Sequence, residues 1–390
     1  MKKLIFLLPV AALWLASCSN DKVVEQNPSK VVEANALQIY PEIQGLTRGY
    51  VWDNSNFTEF KLNTSGTFQE DGTTINSGDA ELTGVTVRKS GSTWSILKAG
   101  AATTYYWPNK SATSDFTAWA PTDATTGAYT ASTTIADQED ILVAFNSGSA
   151  TDFEAGVPLK FRHILSQIVI KADNAAKNKI QIKVKDVRIN NISSQGTWSL
   201  PTTATTDALG YTPWTEVQTS ENYLTDCGET TLDGSSKNLT GAYPLLLIPQ
   251  DLNKTAAADI EHSNGQYISV LVQIQKIKTG DETANTPIFP KGTNATPSSP
   301  GTVDSQHFAW AAVALGEQSK WEPGKKYIYT LHFTENGYGK VDDNQQDGDT
   351  DDGTGTQDPD PGEDVVDAPV KLVLDVEVID WTNVTEEHNM

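Results

Sequence analysis

Cysteine is almost absent from this 390-residue chain: there are two, Cys18 and Cys227. That excludes a disulfide-stapled scaffold, and the chain is long enough to build a hydrophobic core instead. Basic residues are also scarce. Lys and Arg total 28 against 50 Asp and Glu, a formal net charge of -22, so nucleic acid is not an expected partner. Beyond the first twenty residues no segment is apolar enough to cross a membrane as a helix. Long helical patterns are lacking too. No nucleophile elbow, P-loop or dinucleotide-binding glycine pattern is present. His163, His262, His307, His332 and His388 are scattered without metal-ligand spacing. His163 and His332 lie in strand patterns, where packed structural roles are expected. Neither enzymatic activity nor a cofactor is expected.

What is present begins with MKKLIFLLPVAALWLASC. Lys2 and Lys3 form a positive start, and Leu4 to Leu13 form an apolar run too short to span a bilayer. Leu15-Ala16-Ser17-Cys18 fits the lipobox of a bacterial lipoprotein signal, in which cleavage leaves Cys18 as the lipidated N-terminus. The competing reading is an ordinary secretory signal with Cys18 there by chance. The small residues directly before the cysteine favour lipidation. Lipid on Cys18 leaves Cys227 without a disulfide partner, and its turn-like context, Leu224-Thr225-Asp226-Cys227-Gly228, does not suggest a nucleophile.

The body is rich in Thr, Ser, Val, Ile, Tyr and Trp, a β composition. Residues 1–18 read as the signal and 19–48 as a propeptide. Within the propeptide Leu37, Ile39 and Ile43 alternate with polar neighbours, and Pro41 restricts that strand to a sheet edge. Gly45-Leu46-Thr47-Arg48-Gly49 follows, with glycines that keep Arg48 open to a protease. Short strands with turn signals at regular spacing then argue for β-sandwiches, one over 49–158 and one over 159–340. In the second, separate strands are expected near 180–192 and 197–200.

Residues 341–369 form an acidic linker, with eleven Asp or Glu and no basic residue between Val341 and Asp367. Asp347, Asp349 and Asp351 within it resemble a calcium loop, but the glycine is displaced and flanking helices are not evident. A solvated linker is the plainer reading, and no metal site is assigned. Residues 370–390 carry the cleanest amphipathic strand, with Val370, Leu372, Leu374, Val376 and Val378 on one face. The long linker lets that strand travel. Several tryptophans could form a sugar-stacking platform, although most sit in strand patterns where core packing is expected.

Six segments, in order, resemble the fimbrillin family, subunits of protease-assembled type V pili. They are Tyr105-Tyr106-Trp107-Pro108, Phe116-Thr117-Ala118-Trp119-Ala120-Pro121, Leu159-Lys160-Phe161-Arg162-His163, Leu245-Leu246-Leu247-Ile248-Pro249-Gln250, Tyr327-Ile328-Tyr329-Thr330-Leu331 and Val378-Ile379-Asp380-Trp381. The resemblance implies an all-β fold of two transthyretin-like β-sandwich domains of Greek-key type, with a C-terminal extension strand. It also implies a lipid-anchored precursor at the outer membrane. An arginine- or trypsin-like protease would cut it between Arg48 and Gly49 and displace the strand of Leu37, Ile39 and Ile43. The strand from Val370 to Val378 would then be donated to the next copy of the protein or to a related pilin, head to tail. A shaft subunit is the expected role. The alternatives are a tip or accessory adhesin, an anchor, and a lipid-anchored glycan-binding surface protein. The acidic linker departs from the family pattern and leaves open that the terminal strand completes its own domain.

Overall fold

The computed structural model describes residues 36–43, 56–70, 80–108, 111–202, 213–225, 227–252, 265–280, 285–290, 308–315, 320–335, 337, 340–341 and 373–380. These residues are almost entirely β; the one helical element among them is a single 3-10 turn, Ile135–Asp137.

Eight strands form the first sheet: β1 (Ile39–Ile43), β2 (Glu59–Thr64), β5 (Val85–Ser90), β6 (Thr93–Lys98), β7 (Ala101–Thr103), β8 (Ser114–Ala120), β10 (Leu142–Gly148) and β11 (Val157–His163). A small ribbon pairs β3 (Thr67–Phe68) with β4 (Ala80–Glu81). The sheet runs β1-β11-β10-β8-β2-β5-β6-β7. Its strands form where apolar residues recur every second position. β2 buries Phe60, Leu62 and Thr64, and β8 buries Phe116, Ala118 and Ala120. The sheet is not flat. Phe60 on β2 lies 5.0 Å from the Phe161 ring on β11 and 5.4 Å from the Trp94 ring on β6. At about 4.8 Å between neighbouring strands, β11 and β6 would be roughly 24 Å apart in a flat sheet. The sheet therefore curls around its own core and brings β1 against β6.

The second half is a sandwich of two sheets. One contains β12 (Ser166–Asn174), β16 (Lys237–Asn238), β17 (Leu245–Leu247), β21 (Lys325–Phe333) and β23 (Val373–Asp380). The other contains β9 (Gly127–Thr130), β13 (Ile180–Trp198), β14 (Trp214–Thr225), β15 (Thr230–Thr231), β18 (Tyr267–Lys276), β19 (Thr286–Phe289), β20 (Ala309–Ala314) and β22 (Lys340–Val341). Ile168 and Ile170 of β12, with Tyr327, Tyr329 and Leu331 of β21, share one core with Ile182, Val184 and Ile189 of β13 and Ile268, Val270 and Val272 of β18.

Two sequence expectations change. The division after Pro158 falls inside β11, whose ladder with β10 reaches His163, so the first sheet ends there. The strands expected near 180–192 and 197–200 are one strand of 19 residues, β13. Register shifts between Ile189 and Ile192 and between Gln195 and Thr197 bend it, and Asn191 adopts φ 59° at the first. A bulge reads as a break in alternation, although the strand continues through it.

The halves are bolted together. β9 lies in sequence among first-sheet strands but pairs with β13. The far end of the β13–β14 ribbon reaches the β11–β12 connection, where Trp214 Nε1 donates to Ile164 O at 2.6 Å. Trp198, Trp214, Ile141, Val143, Leu165 and Leu246 form a third apolar cluster there.

Candidate functional site

Two edge strands, β1 and β23, carry the residues singled out from the sequence. β1 lies parallel to β11 with Ile39 opposite Val157, Pro41 opposite Leu159 and Ile43 opposite Phe161. Gln38 O accepts from Val157 N–H at 2.8 Å. Even positions of this strand therefore direct their backbone groups to β11, and Pro41, which has no N–H, falls on the outer edge. Leu37, Ile39 and Ile43 point inward and are 7%, 5% and 2% exposed. They join the core that holds Phe57, Leu82, Val87, Ile96, Val157, Leu159 and Phe161. Burying three such side chains stabilises by roughly 5–9 kcal/mol before ordering costs.

Two features of this seat were not legible as such. Leu37 N–H donates to Tyr105 O at 2.6 Å, and Ala36 forms a bridge to Tyr106, so the Tyr105-Tyr106 segment holds the start of β1. At Gly156, φ is +103°, and a Cβ placed there would lie 2.2 Å from Tyr40 Cε2. The Tyr40 ring covers this glycine, with its hydroxyl donating to Gln38 Oε1 at 2.6 Å. The available signal was a glycine directly before an alternating strand, which marks a turn but not what lies over it.

At the far end of β11, His163 Nδ1 lies 2.7 Å from Asp140 Oδ2, with both side chains at most 1% exposed. His163 is thus a packed structural residue at the end of the strand that β1 covers.

β23 lies antiparallel to β21 over its whole length, from Lys325 opposite Asp380 to His332 opposite Val373. The terminal strand is the edge of its own sheet. Leu374 and Val376 are half-buried against the second core, a shallower seat than that of Leu37, Ile39 and Ile43. Val378 stands opposite Tyr327 in the ladder. On the outer face His332 lies between two carboxylates, 2.8 Å from Asp173 and 3.2 Å from Asp375.

Cys18, Arg48, Gly49, Val370 and Leu372, and the acidic residues Asp347, Asp349 and Asp351, lie outside the described residues. Trp107, Trp198, Trp214, Trp310 and Trp321 are all buried, which removes them from any sugar-stacking surface.

The sequence matches the model of a family described as fimbrillin-like over residues 47–345, a span that starts after β1 and stops before β23. No curated protein sequence matches the chain. Among solved structures, a fimbrial protein from Bacteroides vulgatus shares 12% identity at a TM-score of 0.47, with 89% of this chain and 99% of that one covered. A candidate cell adhesion protein from Bacteroides ovatus shares 15% identity at a TM-score of 0.45, covering 89% of this chain and 97% of that one.

Proposed function

Because the chain belongs to the fimbrillin-like family, we propose that it is a pilus subunit stored as a precursor, with β1 as a removable plug and β23 as the strand given to the next subunit. A subunit of this family is a structural and adhesive component of a surface appendage and not an enzyme. The finer reading is that the precursor is exported as a lipoprotein on Cys18 and cut after Arg48. Residues 1–48, β1 among them, then lose their covalent link to the body.

The observation that carries this reading is the contrast between the two edge strands. Removing β1 uncovers the free edge of β11 and an apolar trench lined by Val157, Leu159 and Phe161. An open edge and trench recruit a strand through main-chain hydrogen bonds and alternating side chains. The face of Val370, Leu372, Leu374, Val376 and Val378 has the same period as Leu37, Ile39 and Ile43. Leu374 and Val376 are only half-buried in their own sheet, so moving into a neighbour's trench deepens their burial. Donation of this kind is head to tail and does not close, which makes filaments.

The full ladder between β21 and β23 favours one other reading, in which the strand stays home and the protein is a tip or accessory subunit. Limited trypsin digestion of the exported precursor, with N-terminal sequencing and native gels, separates the two. A product starting at Gly49 that forms an oligomer ladder supports a shaft subunit. The same product remaining monomeric supports the accessory role. In Arg48→Ala the precursor is expected to accumulate uncut, and normal filaments from that variant would refute the processing step.

A further inference from the structure

The terminal strand is tied to its sheet by a polar contact on the face turned away from the core. Polar outward positions there are Lys171 and Asp173 on β12, Lys326, Thr330 and His332 on β21, and Asp375 and Glu377 on β23. His332 Nδ1 lies 2.8 Å from Asp173 Oδ2, and its Nε2 lies 3.2 Å from Asp375 Oδ2. One ring thus links three strands. Ionised carboxylates only accept hydrogen bonds; a neutral imidazole donates from one nitrogen, an imidazolium from both. The neutral ring satisfies one carboxylate and turns a lone pair toward the other. The charged ring matches both.

We propose that Asp173, His332 and Asp375 form a protonation-dependent clasp that keeps the terminal strand on its own sheet, and that its opening sets how many subunits offer that strand to a neighbour. The second half rests on the donor-strand reading. The holding itself is a property of the single subunit.

Burial orders the two contacts. The Asp173 side chain is 16% exposed, His332 32% and Asp375 75%. The contact to β12 is sheltered, and the contact to β23 is the one that opens. The remaining charges on the face do not replace the ring. Lys171 sits on the β12 side of His332, away from β23, and Lys326 stands opposite Ile379, at the other end of the ladder from His332 and Val373. Glu377 adds a second carboxylate on β23 itself. Two nearby lysines are matched elsewhere, Lys237 with Asp233 at 2.9 Å and Lys179 with Glu335 at 2.7 Å. Sign follows from donor count. The clasp is complete while the ring carries a proton on both nitrogens and loosens when one of them is lost.

The test is hydrogen exchange in the full uncleaved chain, read on a peptide covering residues 373–380. Rates are taken at about pH 5.5 and about pH 8 and corrected for intrinsic exchange. Protection is expected to be about threefold or more higher at the lower pH, the scale of a partly exposed ion pair. In His332→Gln and in Asp375→Asn it should be low at both pH values, with peptides from β13 and β18 unchanged. Should His332→Gln fold poorly, Asp375→Asn alters only an exposed carboxylate and gives the same readout. Equal protection at both pH values in the wild type, or a pH response that survives in either variant, would overturn the clasp. Protection that responds as stated while cleaved subunits form no polymer would overturn the donor-strand reading alone.

Discussion

Gly156 shows how a single residue sets the fit of an edge strand, β1. Its φ of +103° is costly for any L side chain, and its missing Cβ leaves room for the Tyr40 ring. Gly156→Ala is therefore expected to destabilise the precursor by roughly 1–3 kcal/mol, mostly by lifting β1. Thermal melts of the precursor measure the loss. Adding Tyr40→Ala should restore part of it, because the clash is relieved while the backbone strain stays. A subunit from which β1 has been cut should show only the strain component. None of this was readable beforehand: Tyr40 alternates to the polar side of its strand, and its partner lies more than a hundred positions away.

At the scale of elements, β1 and β23 differ in depth and in protection of their edges. β1 is deep and carries Pro41 on its outer edge, which weakens that edge as a ladder for other chains. β23 is shallow and has no proline. Substituting Leu374→Asp together with Val376→Asp should leave the cleaved monomer folded, since both side chains are only half-buried, and should abolish the oligomer ladder. A ladder that persists, scored by native gel after trypsin, would show that this face is not the donor. Alternation identified both strands in advance because each buries one face. β14 went unforeseen for the opposite reason. From Thr215 to Asn222 no side chain is buried, so the sequence reads as polar loop although the backbone is paired to β13.

Across the whole molecule, the second core depends on tyrosines that must stay neutral. Burial pushes Tyr327 up to about 12 from its ordinary 10.0. Burial also raises Tyr329, Tyr129 and Tyr223 well above the usual phenol range, outweighing the Trp321 hydrogen bond at Tyr329. A raised folded-state value favours the protonated form. The stability from these groups is fully present below pH 10 and is lost as pH rises from there through about 12. Thermal midpoints should be flat up to about pH 10 and then fall steeply, with the tyrosinate absorbance of these four rings, read as the difference from their Phe variants, appearing together with unfolding. Ionisation that precedes unfolding would place these hydroxyls in solvent. The Trp214 bolt joins the halves into one contact unit, so unfolding of the second core should reach the β1 seat as well.

The sequence by itself determined the all-β class, the family, the alternating faces of β1 and of the terminal strand, and Pro41 as the mark of an edge. Each is written in local spacing or composition, which a strand exposes because its side chains alternate. Only the tertiary structure decided that β11 belongs with the first sheet, that Tyr40 lies over Gly156, that Asp140 meets His163, and that His332 bridges Asp173 and Asp375. These juxtapositions join residues far apart in the chain. They exist because a curled sheet and a sandwich bring distant strands within hydrogen-bonding distance, and no local pattern encodes which strands those are.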